Sequence, residues 1–465
     1  MTPQSPFPNG AVPPPGCPAH DAGLHRLPEV AHPASLYEQL RQQYGPVAPV
    51  LLYGDVRAWI VLGYRENLEV MRTPSLFSRD SRRWSAFRDG LIPDDSPLLP
   101  MVGWQPICVF ADGEEHARLR SAVVDGLAQV NRRGMRRLVT QCTRQLVESP
   151  AFAGGSADLV RDYAEPLPML VVSRLIGMEP HEGPALVEPT LDLMRGSETA
   201  AASNATVTRV LEDLVRRKKE HPGSSDLASH LISHPSGLSD TEIVEHLRLV
   251  LVAAHQGTVN LIAQTLRLTL TDRRFRGSLS GGQMTLPDAL EQVMWDNPSI
   301  SVIPGRWATG NTMLGNQQIR EGDLLLLCIA AANVDPEIRP DLSIPLHGNR
   351  SHLSLSSGPH ECPGGDVGRS IADTGIDELM MLLPDMELTI PPTAIGITAD
   401  WLTQRPASLP VRFTPPRATS HQAPAPAQFA ASQPLPAAEE TPPARPAATT
   451  SDAGPWWRRP LTRNS

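Results

Sequence analysis

The chain has 465 residues, of which 40% are hydrophobic, and a formal net charge of -9 at pH 7. This composition allows a large buried core, and an acidic balance without a dense basic cluster excludes a general nucleic-acid binder. The 5 cysteines are odd in number and widely spaced, which favours a reducing cytoplasm over a disulfide framework. We find no signal-peptide pattern and no uninterrupted apolar run of membrane-spanning length, so we expect a cytoplasmic protein without a membrane span.

Composition predicts three regions along the chain. Residues 1–30 are rich in proline and irregular, and we expect them to be mobile. Residues 31–415 carry the periodic apolar patterns of a folded domain. Residues 416–465 consist largely of Pro, Ala, Ser and Thr, which cannot bury a core, so we expect a disordered tail.

The first elements of the folded region are a helix and two strands. A short helix begins near Leu36 and ends before Gly45. Two apolar segments follow, Val47–Leu52 and Ala58–Leu62, on either side of a turn. This order predicts a β-hairpin.

His116 and Arg120 form the next pattern. They are four residues apart, so they share one face of a predicted helix. Two cationic groups that point the same way suit a ligand with two carboxylates. The alternative interpretation is a solvated basic face.

A long central helix is predicted from Ser239. Ser239 and Glu242 form a capping box, and no Gly-Pro break occurs before Asp272. Leu249–Ala254 is apolar on all sides, which predicts burial. Polar side chains then interrupt the buried segment: His255, Gln256, Thr258 and Asn260.

The loop Leu355–Gly365 contains a single cysteine, Cys362. A helix with apolar residues at helical spacing follows from Asp366, and Pro384 ends the pattern. A cysteine just before a helix N-terminus lies where free N–H groups and the helix dipole favour the thiolate, the form that binds a metal. The alternative interpretation is a buried structural cysteine in a glycine-rich turn.

This loop resembles the haem-ligand signature of the cytochromes P450, Phe-Gly-x-Gly-x-His-x-Cys-x-Gly. The residues that match are Gly358, His360, Cys362 and Gly364, whereas Leu355 and Ser356 replace Phe and Gly. Further segments resemble landmarks of the same family: the His-x-x-x-Arg of His116 and Arg120, the Arg-x-Ala of Arg306, and Ala332-Asn-Val-Asp-Pro336.

The resemblance implies a mainly α protein with the cytochrome P450 fold and a small β region. It implies heme b bound through the Cys362 thiolate. Its propionates would be held by His116, Arg120, Arg306 and His360. The implied function is that of a soluble actinobacterial monooxygenase that inserts one oxygen atom of O2 into a small organic substrate. Its electrons would come from ferredoxin and ferredoxin reductase.

The central helix departs from the family pattern. The usual Ala-Gly-x-acid-Thr, which delivers protons during dioxygen activation, reads Ala253-Ala254-His255-Gln256-Gly257 here. Gln256 can form hydrogen bonds but cannot titrate. Thr258 is rotated by about 100° around the helix from the usual threonine position. Gln256, Thr258 and His255 are therefore the catalytic candidates that this segment offers.

A second departure is the loss of the family's Glu-x-x-Arg. Gln292 and Trp295 stand at its two positions, and Glu291 does not restore the spacing. The segment Asp335–Ile344 also lacks the Arg-Phe step expected there, so the acid and both arginines are predicted to be lost together. Replacing a whole buried charged set can be nearly neutral for stability. The pattern resembles an actinobacterial branch of the family without this motif.

These departures leave two further functions open. The first is a haem-binding protein with little or no monooxygenase activity that acts as a sensor or partner. The second is peroxide-driven oxidation, which bypasses part of the proton delivery. Turnover with ferredoxin, reductase and NADPH, compared with turnover with peroxide, distinguishes them.

Overall fold

The computed structural model describes residues 24–415 apart from 30–32, 94–95, 196–198, 224, 345 and 347. The α-helices of this part are α1 Pro33–Tyr44, α2 Tyr64–Arg72, α3 Ser85–Arg88, α4 Leu99–Val102, α5 Gly113–Ala128, α6 Arg132–Val147, α7 Pro166–Leu175, α8 Gly183–Arg195, α9 Ala200–Glu220, α10 Leu227–Ser233, α11 Asp240–Thr271, α12 Arg273–Ser280, α13 Leu286–Asp296, α14 Ile329–Ala332 and α15 Gly365–Leu382. A six-residue π-helix, Leu159–Ala164, precedes α7.

The strands of the described residues are β1 Val47–Leu51, β2 Arg57–Val61, β3 Phe77–Ser78, β4 Ser156–Asp158, β5 Val302–Ala308, β6 Thr312–Leu314, β7 Gln317–Ile319, β8 Leu324–Cys328, β9 Glu387–Leu388, β10 Ile397–Ala399, β11 Gln404–Pro406 and β12 Pro410–Arg412. The main sheet has the order β1-β2-β8-β5-β3. β2 and β8 are parallel, and its other pairs are antiparallel. The predicted hairpin is present as β1 and β2.

The main helical core surrounds α11. Ile262, Ala263 and Leu266 of this helix are buried in one apolar cluster with α5, α6, α7 and α15. The spacing predicted for α15 is confirmed, because Ile371 and Leu379 are fully buried in the same cluster. This packing places the central helix beside the helix that follows Cys362.

α11 is the one helix of the described residues that is long and apolar enough to cross a membrane by length and composition. Within its most apolar window, 61% of the residues are buried inside the protein. This burial is the behaviour of a core helix. The sequence analysis found no such run because polar residues divide the apolar stretches.

The chain ends fall largely outside the described residues. This holds for the predicted tail 416–465 and for residues 1–23 of the predicted mobile segment 1–30. Residues 24–29 require a correction, because they pack on the domain. Leu27 is buried, and the backbone N–H of Leu51 donates to the His25 carbonyl at 2.9 Å.

Candidate haem site

The cysteine loop, Leu355–Gly364, lies directly before α15. The Cys362 N–H donates to the Leu355 carbonyl at 2.8 Å, which closes the loop. Gly358 has φ +72°, and a side chain there would approach the Met71 carbonyl oxygen to 2.8 Å. Glycine is therefore required at 358. At Gly364 an added Cβ would meet nothing within 4 Å. The contribution of Gly364 to the loop is its backbone N–H, which acts on the Cys362 sulfur.

Cys362 is exposed on the surface of the described structure. Protein nevertheless surrounds it closely enough that burial raises the pKa of the thiol. Three groups act in the opposite direction and lower this pKa: the Gly364 N–H, which bonds the sulfur, and the nearby cations Arg120 and Arg369. Burial outweighs these three groups, so the pKa of the Cys362 thiol is raised on balance while the cations and the backbone donor limit the rise.

His116 on α5 meets His360 of the cysteine loop. Their ring centroids are 4.1 Å apart. Burial lowers the pKa of both rings, that of His360 to about 3, so both are neutral near pH 7. His116 Nε2 has no hydrogen-bond partner in the described part of the chain, whereas His360 Nε2 lies 3.5 Å from the Asp112 carboxylate. The structure thus brings two predicted propionate contacts together and leaves the His116 nitrogen without a partner.

Arg306 enters the same region from β5. The register of β5 against β8 shifts between Pro304 and Arg306, and Gly305 has φ +90° at this bulge. A bulge redirects a side chain, and Arg306 is buried. Burial, together with the nearby positive charge of Arg79, lowers the pKa of Arg306. Arg306 forms no ion pair with any described residue, so it lies ready for an anionic ligand.

Asp112 and Arg79 are neighbours that the sequence analysis missed. Asp112 accepts hydrogen bonds from the Ser78 hydroxyl and from the Arg79 N–H, and its Oδ1 lies 3.5 Å from His360 Nε2. The buried Arg79 side chain donates to the carbonyls of Val109, Pro304 and Gly305. The available signal was Asp112 directly before α5, but nothing local connects it to the other residues.

Arg120 contacts the cysteine loop, and its predicted contact with a propionate stays a prediction. Its guanidinium donates to the Glu361 carbonyl, next to Cys362. It is therefore a tether for the cysteine loop. Arg120 remains near His116, whose pKa its charge lowers.

The polar residues of α11 point in different directions. His255 is buried, and its Nε2 lies 2.9 Å from the Glu165 carbonyl oxygen. Burial lowers the pKa of His255, so the ring is neutral near pH 7 and makes a packing contact; its catalytic role stays a prediction. Thr258 Oγ1 would lie 3.3 Å from a Cβ added to Gly368 of α15, and Gly257 borders open space.

The region of the missing Glu-x-x-Arg contains an arginine, Arg339, outside the motif positions. Arg339 is buried, lies 5.6 Å from the centroid of the Trp295 ring and contacts Asp296 at 2.8 Å. Gln292 accepts a hydrogen bond from the Leu346 N–H at 3.0 Å. The sequence analysis missed this cation–π contact because Arg339 and Trp295 are far apart in sequence.

The chemistry of these side chains fits a haem. A flat dianionic ligand needs cationic or donor groups on one side, and the buried Arg306 and the two histidine Nε2 nitrogens supply them. Cys362, just before the first residue of α15, would supply a thiolate ligand. Fold and site together fit a mainly helical protein that holds a haem through a cysteine.

Known proteins of this class are similar to the chain. No protein-family model matches it. A 2-hydroxy-5-methyl-1-naphthoate 7-hydroxylase of Streptomyces carzinostaticus is 29% identical over 398 residues, which are 83% of this chain and 96% of the relative. Cytochrome P450-SU2 of Streptomyces griseolus is 28% identical, over 86% and 95% of the two chains. Among solved structures, CYP154C4 from Streptomyces sp. W2061 has a TM-score of 0.75 at 26% identity, over 83% and 97%.

The chain is similar to named cytochromes P450 of actinobacteria and has the fold of solved P450 structures, which confirms the predicted resemblance to the cytochrome P450 family. The predicted mainly α fold with a small β region is confirmed. The assignment to haem-thiolate enzymes that act as monooxygenases is likewise confirmed, because the relatives include several named hydroxylases and oxygenases.

Proposed function

We propose that the protein is a cytoplasmic monooxygenase that binds heme b through Cys362 and oxidises a small organic substrate with electrons from a ferredoxin and its reductase. The observation that carries the proposal is the unpaired, buried Arg306 beside the Nε2 nitrogens of His116 and His360. Arg306 carries a buried positive charge, and the two imidazoles can donate hydrogen bonds to the same anionic ligand.

Each residue has a separate task in the proposed site. Cys362 would provide the thiolate ligand of the haem, and the Gly364 N–H and the contact of Arg120 with the Glu361 carbonyl would keep its sulfur in place. Arg306, His116 and His360 hold the propionates. When bound through a thiolate, the haem supplies the family's one-electron and dioxygen chemistry. Arg120 fixes the loop that carries Cys362 through the Glu361 carbonyl. His360, on the same loop, approaches Asp112 and so adds a second contact that fixes it.

Proton delivery depends on the segment of α11 at Gly257. Open space at this residue leaves room for water where relatives carry an alcohol. Gln256 is half-buried and can bond such a water without titrating. Thr258 follows Gly257 in the chain and faces α15, and we propose that its hydroxyl bonds the same water. Protons would therefore come through water.

The names of the relatives support a broad substrate class. They include hydroxylases of a naphthoate and of vitamin D3, an enzyme that oxidises mycinamicin IV, and a nocardicin C N-oxygenase. These names share no class narrower than small organic molecules. We therefore propose a small organic substrate for this chain without a narrower class.

Peroxide-driven oxidation is the second candidate function. The observation that favours it is the absence of an acid and an alcohol at Gln256 and Gly257. A haem-binding sensor or partner role is favoured by the same two residues.

Turnover assays distinguish the three functions. The purified protein is supplied with a panel of apolar substrates and either ferredoxin, reductase and NADPH, or hydrogen peroxide alone. Product from the first system supports the proposed monooxygenase, whereas product from peroxide alone supports the second function. Haem uptake without product from either system across the panel would contradict both enzymatic functions.

A further inference from the structure

Glu291 is a buried carboxylate on α13 that the proposed function does not use. Its side chain is only 3% exposed, and the neighbouring Leu290 and Val293 of the same helix are fully buried. Burying an ionised carboxylate is costly unless several donors contact it. The partners of Glu291 therefore show what the charge is kept for.

These partners lie on both sides of the cysteine loop. His352, which precedes the loop, places its Nε2 2.8 Å from Glu291 Oε2. Arg369 of α15, which follows the loop, donates through Nε to Oε1 at 2.6 Å and through its second nitrogen to Oε2 at 3.2 Å. One carboxylate thus joins the chain before Cys362 to the chain after it.

The contacts are sufficient to keep Glu291 ionised. Burial by itself raises the pKa of this carboxyl, but the hydrogen bonds from His352 and Arg369 lead to a net lowering of the pKa. Arg350 adds a more distant cation, 3.4 Å from Oε1. Near pH 7 the group is therefore a fixed negative charge.

The ion pair of Glu291 with Arg369 also affects the charge near the Cys362 sulfur. Arg369 is one of the cations that lower the pKa of the Cys362 thiol. Because Glu291 is in bidentate contact with Arg369, it offsets part of the positive charge that the sulfur experiences. Removing the carboxylate would leave this arginine without a buried counter-ion.

The neighbouring positions do not provide an equivalent link. Gln292 accepts from the Leu346 N–H, and Trp295 donates to the Asn349 carbonyl at 2.8 Å. Both contacts hold the chain only on the side that precedes Cys362. Among the described residues of α13, Glu291 is the one whose side chain has polar contacts with both flanks.

We propose that Glu291 is a positioning residue that holds the cysteine loop by clamping His352 on one flank and Arg369 on the other. The proposal rests on Cys362 being the haem ligand. The clamp acts through the loop and through Arg369, so Glu291 itself contacts neither haem nor substrate.

The test compares Glu291→Gln with Glu378→Gln in the haem-loaded protein. Gln keeps the shape of the side chain and removes its charge. Glu378 is a matched control, because it is a buried carboxylate of α15 that pairs with Arg144 at 2.7 Å and has no contact with the cysteine loop. Haem loss to excess apomyoglobin and the haem reduction potential are measured for both variants.

We expect Glu291→Gln to lose haem about tenfold faster than the wild type, which is the usual lower range when a residue that supports a metal ligand is changed. Its reduction potential should rise, because a negative charge near the haem has been removed. Glu378→Gln should change neither quantity. Equal effects of the two substitutions, or none from Glu291→Gln, would overturn the clamp.

A double variant covers the case in which Glu291→Gln does not fold. Glu291→Gln with Arg369→Gln removes both charges, so no unpaired ion remains buried. The clamp predicts that haem loss from this variant is still about tenfold faster than from the wild type. A wild-type rate would overturn it. Failure of the proposed function can be distinguished from failure of the clamp. If the wild-type protein lacks a thiolate-type spectrum, Cys362 is not the haem ligand, whatever the variants show.

Discussion

Ser356 has a backbone conformation that serine rarely adopts, with φ 63° and ψ -169°. Relatives usually have glycine at this position of the cysteine loop. We expect Ser356→Gly to raise the free energy of unfolding by about 1 kcal/mol, because glycine adopts this region without strain. Denaturant unfolding of the haem-loaded protein measures the change. Ser357→Gly is the control, since Ser357 is extended at φ -153°, and it should lower stability.

Pro363 removes one hydrogen-bond donor from the vicinity of the sulfur. Proline has no N–H, so the Gly364 N–H is the backbone donor that acts on Cys362. We expect Pro363→Leu to raise the haem reduction potential, because a hydrogen bond to a ligating sulfur reduces its electron donation. Potentiometric titration of both proteins tests this. An equal or lower potential would refute the missing donor, and haem loss without a shift would indicate that Pro363 stiffens the loop.

At the scale of elements, α11 offers room for the missing proton-delivery pair. An added Cβ at Gly257 meets nothing within 4 Å, so Gln256→Glu with Gly257→Thr should fold. We expect the double variant to raise dioxygen-driven turnover severalfold and peroxide-driven turnover much less, because peroxide carries its own protons. Steady-state rates with each oxidant test this. Gly257→Ala is the control, since it fills space without a hydroxyl, and equal gains by both routes would contradict the interpretation.

The elements that could be predicted are those with local signals. The capping box of Ser239 and Glu242 correctly placed the start of α11, and the turn-rich cysteine loop correctly preceded α15. The contact of Arg79 with Asp112 and the stacking of Arg339 on Trp295 could not be predicted. These pairs join segments that are distant in the chain, and a sequence does not show which distant segments meet.

The two departures from the family pattern differ in how well the sequence predicted their surroundings, because one is local and the other involves distant segments. The replacement of threonine by Gly257 removes a side chain at one place on one helix, and the structure shows open space at that place. The Glu-x-x-Arg loss was interpreted from the spacing within one helix, so the contacts of Glu291 with His352 and Arg369 were missed. A glutamate on an apolar helix face was the only local sign of them.

At the scale of the whole molecule, residues 31–415 should contain all that haem binding requires. The tail 416–465 has no apolar periodicity with which to dock. We expect its deletion to leave haem content unchanged and to shift the thermal unfolding midpoint by about 1 °C or less, since little apolar surface is lost. Absorbance and calorimetry of the truncated and full chains test this. A large loss of haem on truncation would show that the tail packs on the domain.

The most direct test of the central claim is the reduced carbon-monoxide difference spectrum of the wild type and of Cys362→Ala. Thiolate-ligated haem has a distinctive absorbance, and Cys142→Ala is the control because Cys142 is buried in α6. We predict that the wild type and Cys142→Ala show the thiolate-type band and that Cys362→Ala has lost it. An unchanged band in Cys362→Ala, or no such band in the wild type, would contradict Cys362 as the haem ligand.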